Sequence, residues 1–188
     1  MAILTLQATT NQTPDPALGS DNALTTPTNT SYASSTVIDT GVGAAQNKSI
    51  RWSAFPAALG QITKVVVKFN WNITSGGADA DNSSGGSAAA DASFISLLSV
   101  DGGATFPTTL LTRSVSVSGI DSASLIESGS VSFNVTPLPT ISQIAIRNRM
   151  HANATQSGAG IASASVTATV TSVQLEVTTL NSQTMVML

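Results

Sequence analysis

The octapeptide SVDGGATF, residues 99–106, places Ser99, Asp101, Gly103, Thr105 and Phe106 at a spacing that allows two kinds of chemistry. A carboxylate set among hydroxyls raises the question of catalysis. The same carboxylate can instead accept hydrogen bonds from the amides of a tight turn, with Gly102 and Gly103 supplying positive φ and Phe106 anchoring the hairpin to a core. The turn is the expected role, because the chain offers this carboxylate little catalytic company. His151 is the one histidine, Tyr32 the one tyrosine, and there is no cysteine.

Three further groups could carry chemistry. Arg147, Arg149 and His151 fall at i, i+2 and i+4 of a strand-like segment, so they share one face. They could grip a carboxylate of a neighbouring subunit or an acidic glycan; a plain solvent-facing strand is the simpler expectation. Residues 79–82, DADN, with Asp91 further on, offer hard oxygen ligands of the kind calcium takes. They lack the EF-hand register and its bidentate glutamate, so a solvated loop is expected, with no metal and no cofactor. Trp52 and Trp71 could stack on a sugar, Trp52 with help from Phe55 and Tyr32. Trp71 sits on the apolar face of its strand and is expected in the core, whereas Trp52 is expected at an edge or interface.

The segments that must position these groups all read as β. In ITKVVVKFNWNI, Val65, Val67, Phe69, Trp71 and Ile73 alternate with Lys68, Asn70 and Asn72, the pattern of a half-buried antiparallel strand. Val115 and Val117 repeat the scheme, as do Val131, Phe133 and Val135, and Ile144, Ile146 and Met150. Near the C-terminus Val166 and Val170 share one parity while Val173, Leu175 and Val177 share the other, which requires a bulge near Thr171. AILTL (2–6), STVIDTG (35–41) and KSIRWSAF (48–55) are shorter strand candidates. Residues 74–91, TSGGADADNSSGGSAAAD, have no apolar periodicity and are expected to form a loop. No segment combines helical period with capping signals.

Composition agrees. The chain has 188 residues, 9% of them charged and 41% hydrophobic, with a formal net charge of −3. That is enough apolar material for one domain with a core, too little charge for a disordered chain, and no basic surface for nucleic acid. No run is long enough to cross a membrane as a helix, and the start, MAILTLQATTNQ, lacks the basic and apolar regions of a secretory leader. Without cysteines, stability must come from packing and strand pairing.

Residues 99–106 resemble the Asp box of sialidases, a structural hairpin even in those enzymes. A sialidase propeller carries several boxes and roughly twice this length, so the resemblance implies a hairpin and no activity. Taken together, the segments ALGSDNALTT, LGQITKVVVKFNW, LLSVDGG and ASASVTATVTSVQLEV resemble a family of bacteriophage and prophage-associated β-sandwich proteins. This resemblance implies a role on the virion surface, as capsid decoration, head fibre or tail accessory protein, without chemistry. The expectation is therefore an all-β, antiparallel two-sheet sandwich, jelly-roll-like, over 36–188, preceded by an extended arm over 1–35 that docks on a partner. The protein would be a non-enzymatic homo-oligomer, a trimer suiting the role, that contacts copies of itself and other virion proteins and assembles in the host cytoplasm. Arg147, Arg149, His151 and Trp52 are the candidate interface residues. A glycan-binding module and a filament subunit that assembles by strand addition are the rival readings.

Overall fold

Period-two alternation of Val, Ile, Phe and Trp with Ser, Thr and Asn builds strands that bury one face, and here those faces meet in pairs. The computed structural model describes residues 1–12, 31–33, 45–58 and 60–180. Its strands are β1 (Ala2–Gln7), β2 (Thr10–Gln12), β3 (Ser31–Ala33), β4 (Gln46–Ser53), β5 (Gln61–Asp81), β6 (Gly86–Ser99), β7 (Thr108–Ser118), β8 (Asp121–Ser124), β9 (Glu127–Asn134), β10 (Ala145–Gly158) and β11 (Ile161–Leu180), with a single 3₁₀ turn at Ile141–Gln143. The first sheet has the order β1-β11-β5-β8, with β3 also on β11 and β9 also on β5. The second has the order β2-β4-β10-β6-β7.

The pairing is nested. β3 pairs with β11, β4 with β10, β5 with β8 and β9, and β6 with β7, every pair antiparallel. A long hairpin rolled up so that alternate pairs fall in opposite sheets has this pattern, and it is the pattern of a jelly roll. Residues 2–12, within the stretch expected as an arm, are β1 and β2. They bridge the layers, since β1 lies on β11 and β2 on β4. The rest of that stretch, apart from 31–33, lies outside the described residues, as does the STVIDTG candidate.

The core changes character along its length. At one end Val65, Val67, Phe69, Trp71 and Ile73 of β5 meet Phe94, Leu98, Ile146, Met150 and Leu175. At the other, the inward positions are alanines: Ala78, Ala80, Ala88, Ala90, Ala92, Ala152, Ala154, Ala162 and Ala164, each at most 4% exposed. Side chains this short are buried to that degree only when the facing sheet comes close. This corrects the loop expected over 74–91. β5 continues to Asp81 and β6 starts at Gly86, so most of that segment is strand, joined by a turn in which Asn82 O accepts from Gly85 N. Alanine and glycine carry little hydrophobic signal, so the alternation was there but silent.

The bulge expected near Thr171 is present. The register between β11 and β5 shifts between Thr171 and Gln174, and Ser172 takes φ +56°. Val166 and Val170 point inward before the shift, Val173, Leu175 and Val177 after it.

Candidate functional site

The hairpin between β6 and β7 brings the SVDGGATF side chains together. Ser99 is fully buried at the end of β6. Its hydroxyl donates to Asp101 Oδ1 at 2.6 Å and accepts from the Gly103 amide at 2.9 Å. Asp101 also accepts from the Thr105 amide at 3.0 Å and from the Thr105 hydroxyl at 2.6 Å. Gly102 and Gly103 have φ +80° and +86°, as the turn requires. A side chain at Gly103 would also start 2.7 Å from Arg51 Nη1, the group that donates to Gly103 O at 3.2 Å. The Gly102 amide donates to Gln143 O at 2.8 Å, tying the hairpin to the 3₁₀ turn.

The hydrogen bond from the Ser99 hydroxyl, followed by those from the Thr105 hydroxyl and amide, holds the Asp101 carboxyl far below the usual carboxylate range. Because the folded value is depressed, the stabilisation is present above the unfolded value of about 3.9 and is lost as pH falls below it toward the folded value. Asp101→Asn is therefore expected to lower the thermal midpoint at neutral pH, and the gap to the native protein should narrow once pH drops below about 4. Circular dichroism melts across that range test this. A gap that does not change with acid would mean the carboxylate's charge is irrelevant to the hairpin.

Phe106 departs from expectation. It is half-buried outside the core, and its ring faces Arg147, whose guanidinium carbon lies 3.7 Å from the ring centroid. Arg147 is in turn only 8% exposed, so it is no solvent-facing grip. A cation–π contact of this kind desolvates the guanidinium on one face. The reason is register: Arg147 sits opposite Arg51 on β4 and Leu97 on β6, at the base of the hairpin.

Arg149 and His151 do share the outer face of the second sheet with Arg147, since Ile146 and Met150 are buried on the inner one. Both ring nitrogens of His151 are engaged. Nδ1 lies 2.8 Å from Asn47 Oδ1, and Nε2 lies 2.9 Å from Asp91 Oδ2. Asp91 also accepts from Asn153 Nδ2 at 3.1 Å. The nearest thing to a base in the chain is thus a strut in a cross-strand network over β4, β10 and β6.

The calcium candidates do not converge. Asp79 and Asp81 alternate with inward Ala78 and Ala80 and so face outward from the first sheet, while Asp91 faces outward from the second. Asp81 Oδ1 accepts from the Ser83 amide at 2.7 Å in the turn. Among the described residues no group of three or more His, Cys, Asp or Glu side chains could hold a metal.

Of the aromatic candidates, Trp71 is 5% exposed and stacks on Phe94 at 6.3 Å, as expected for a core residue. Trp52 is half-buried against the core opposite Ile146, and Phe55 is buried. They form no exposed platform. Tyr32 lies in β3. Sequence reasoning missed the Arg51–Gly103, Phe106–Arg147 and His151–Asp91 contacts, and also the buried bond from the Ser96 hydroxyl to Asn148 Oδ1. Each joins segments far apart in sequence, and only the tertiary pairing announces it. No protein-family model, curated protein or solved structure matches this chain.

Proposed function

We propose that this chain is a non-enzymatic structural subunit that self-associates and docks on the surface of a phage-like virion, as a capsid decoration, head fibre or tail accessory protein. The observation that carries the reading is where large apolar side chains stay exposed. Met1 and Ile3 of the β1 end lie beside Leu180 at the end of β11, Ile120 and Ile161 flank Asp81 at the far end of the same sheet, and Val100, Ile126 and Leu138 are exposed between and around them. Clusters of exposed large apolar residues mark contact sites more often than isolated ones do. The polar groups that could have done chemistry are already spent on the fold: Asp101 on its hairpin, His151 on Asp91 and Asn47.

Light scattering on the intact chain over a range of concentrations tests the association, which should yield a mass that is a multiple of the protomer's, a trimer suiting the role. Truncation of the first 35 residues would confuse that test, because it removes β1 and β2 from the sheets. The virion role is tested by composition. Phage-like particles purified from the producing cell should contain the chain at a fixed ratio to the capsid protein. A monomer at every concentration, absent from such particles, would end the proposal.

A further inference from the structure

A cleft of about 410 Å³ lies at the end of the sandwich where β5 begins, between the segment after β4 and the segment after β9, lined by Phe55, Ala57, Ala58, Ile62, Pro139 and Ile141 among others. Phe55 and Ile141 are buried, while Ala57 and Ser142 are exposed on its rim. The described lining residues carry no charge. Apolar surface of this kind gains from being covered.

β11 runs antiparallel to β5 and ends beside this cleft. Thr179 pairs with Ile62 and Leu180 with Gln61, and a methyl group on Gly60, itself part of the lining, would stand 3.0 Å from Leu180 O. The chain then continues as NSQTMVML, residues 181–188, which lie outside the described residues. Its first four residues are polar and uncharged. Met185, Val186, Met187 and Leu188 form an unbroken apolar run, with two of the chain's four methionines, whose flexible thioethers suit an irregular apolar surface. Fully extended, residues 181–184 span at most about 13 Å, so the apolar run begins within reach of the cleft, and seating it there buries no charge. The longer stretches outside the described residues start elsewhere. Residues 13–30 follow β2, which runs from opposite Ser53 to opposite Arg51 and so away from the cleft, and lead into β3 opposite Thr169. Residues 34–44 follow β3 opposite Thr167 and precede β4, which begins opposite Ala152. None of these attachment points borders the cleft.

We infer that the apolar cleft seats the segment that follows β11 of the same chain, with Met185, Met187 and their neighbours packed against Phe55, Ile62 and Ile141. A short linker gives an intramolecular partner an effective concentration in the millimolar range, so in more dilute solution the chain's own segment prevails over that of a second copy. The seat also covers part of the surface left by Leu138 and Leu180, which are exposed beside it. The inference is independent of the self-association proposed above and holds equally for a monomer.

Disulfide trapping tests it, because the chain has no native cysteine to compete. One variant carries Ser142→Cys with Met187→Cys, which joins the cleft rim to the segment. A second carries Lys64→Cys with Met187→Cys. Lys64 pairs with Thr178 and is exposed, so the segment reaches it as readily, but it is not part of the cleft lining. Both are treated with oxidised glutathione at micromolar protein, and unchanged thermal midpoints of the reduced variants establish that they fold. The expected result is an internal disulfide that forms about tenfold faster in the first variant than in the second, at a rate unchanged by dilution, in a denatured species of monomer mass lacking two hydrogens. Adding Ala57→Glu to the first variant should bring its rate down to that of the second. Equal rates in the two variants overturn the seat. Disulfides formed between chains in place of the internal one give the cleft to a second copy and overturn it too. Light scattering on the reduced samples reports association separately, so failure of the seat and failure of the proposed function are told apart.

Discussion

Phe94→Ala should cost about 3–5 kcal/mol of folding stability, a large share of the roughly 5–15 kcal/mol that a single domain holds. Phe94 is fully buried in the middle of β6, opposite Met150 on β10 and Arg113 on β7. Its ring stacks on Trp71 from the facing sheet, with centroids 6.3 Å apart. The Arg113 guanidinium lies 5.1 Å from the Trp71 ring and its Nε bonds Glu127 Oε2 at 2.6 Å, so the aromatic pair is capped where the sandwich would open between β7 and β9. The space Phe94 would leave lies among buried side chains of both sheets, which can close on it only in part. Urea titration should show a lower midpoint with an unchanged slope. The same change at half-exposed Phe106 should be much milder, because that ring packs on Arg147 outside the core. Equal losses at the two positions would refute this account of where the core lies.

The second large effect is expected at a residue with no side chain. Gly86 and Gly158 are partners where β6 and β10 meet at the thin end of the sandwich. A methyl group on Gly86 would stand 1.9 Å from Ser157 O and 2.9 Å from its carbonyl carbon. Both obstacles are backbone, and the Ser87–Ser157 hydroxyl pair, 2.8 Å apart, adjoins them. Gly86→Ala must therefore push two paired strands apart as well as occupy φ +96°. The neighbouring Gly85 has nearly the same φ, +98°, but nothing within 4 Å of its would-be methyl. The pair separates strain from collision. Gly85→Ala should cost about 1 kcal/mol, Gly86→Ala roughly 3 kcal/mol or more. Equal costs from the two substitutions, read from denaturant midpoints, would mean the close approach is relieved without loss of pairing.

Much of the site was open to a sequence reading because its logic is local. Ser99, Asp101 and Thr105 lie within seven residues, and their hydrogen bonds depend on a turn that Gly102 and Gly103 dictate. The side to which Arg147, Arg149 and His151 point follows from strand parity. What surrounds them does not. Arg147 was expected in solvent and lies under Phe106, because the hairpin folds back over β10 at that register. His151 meets Asp91 because the pairing of β10 with β6 sets it opposite Ser93, next to the aspartate's strand position.

Alternation of apolar and polar residues, by itself, determined that this chain is a two-layer antiparallel β protein, that Trp71 is core, and that β11 must bulge near Thr171. These follow from the two-residue repeat of a strand, a property each segment carries alone. The tertiary structure decided which strands pair, since many alternating Ser/Thr/Val segments of similar length can pair with one another and only the packing of the whole selects the nested order. It also decided that alanine is enough to make a core over residues 74–91. An alanine buries little surface on its own, and it becomes an interior residue only when the opposite sheet is close enough to cover it.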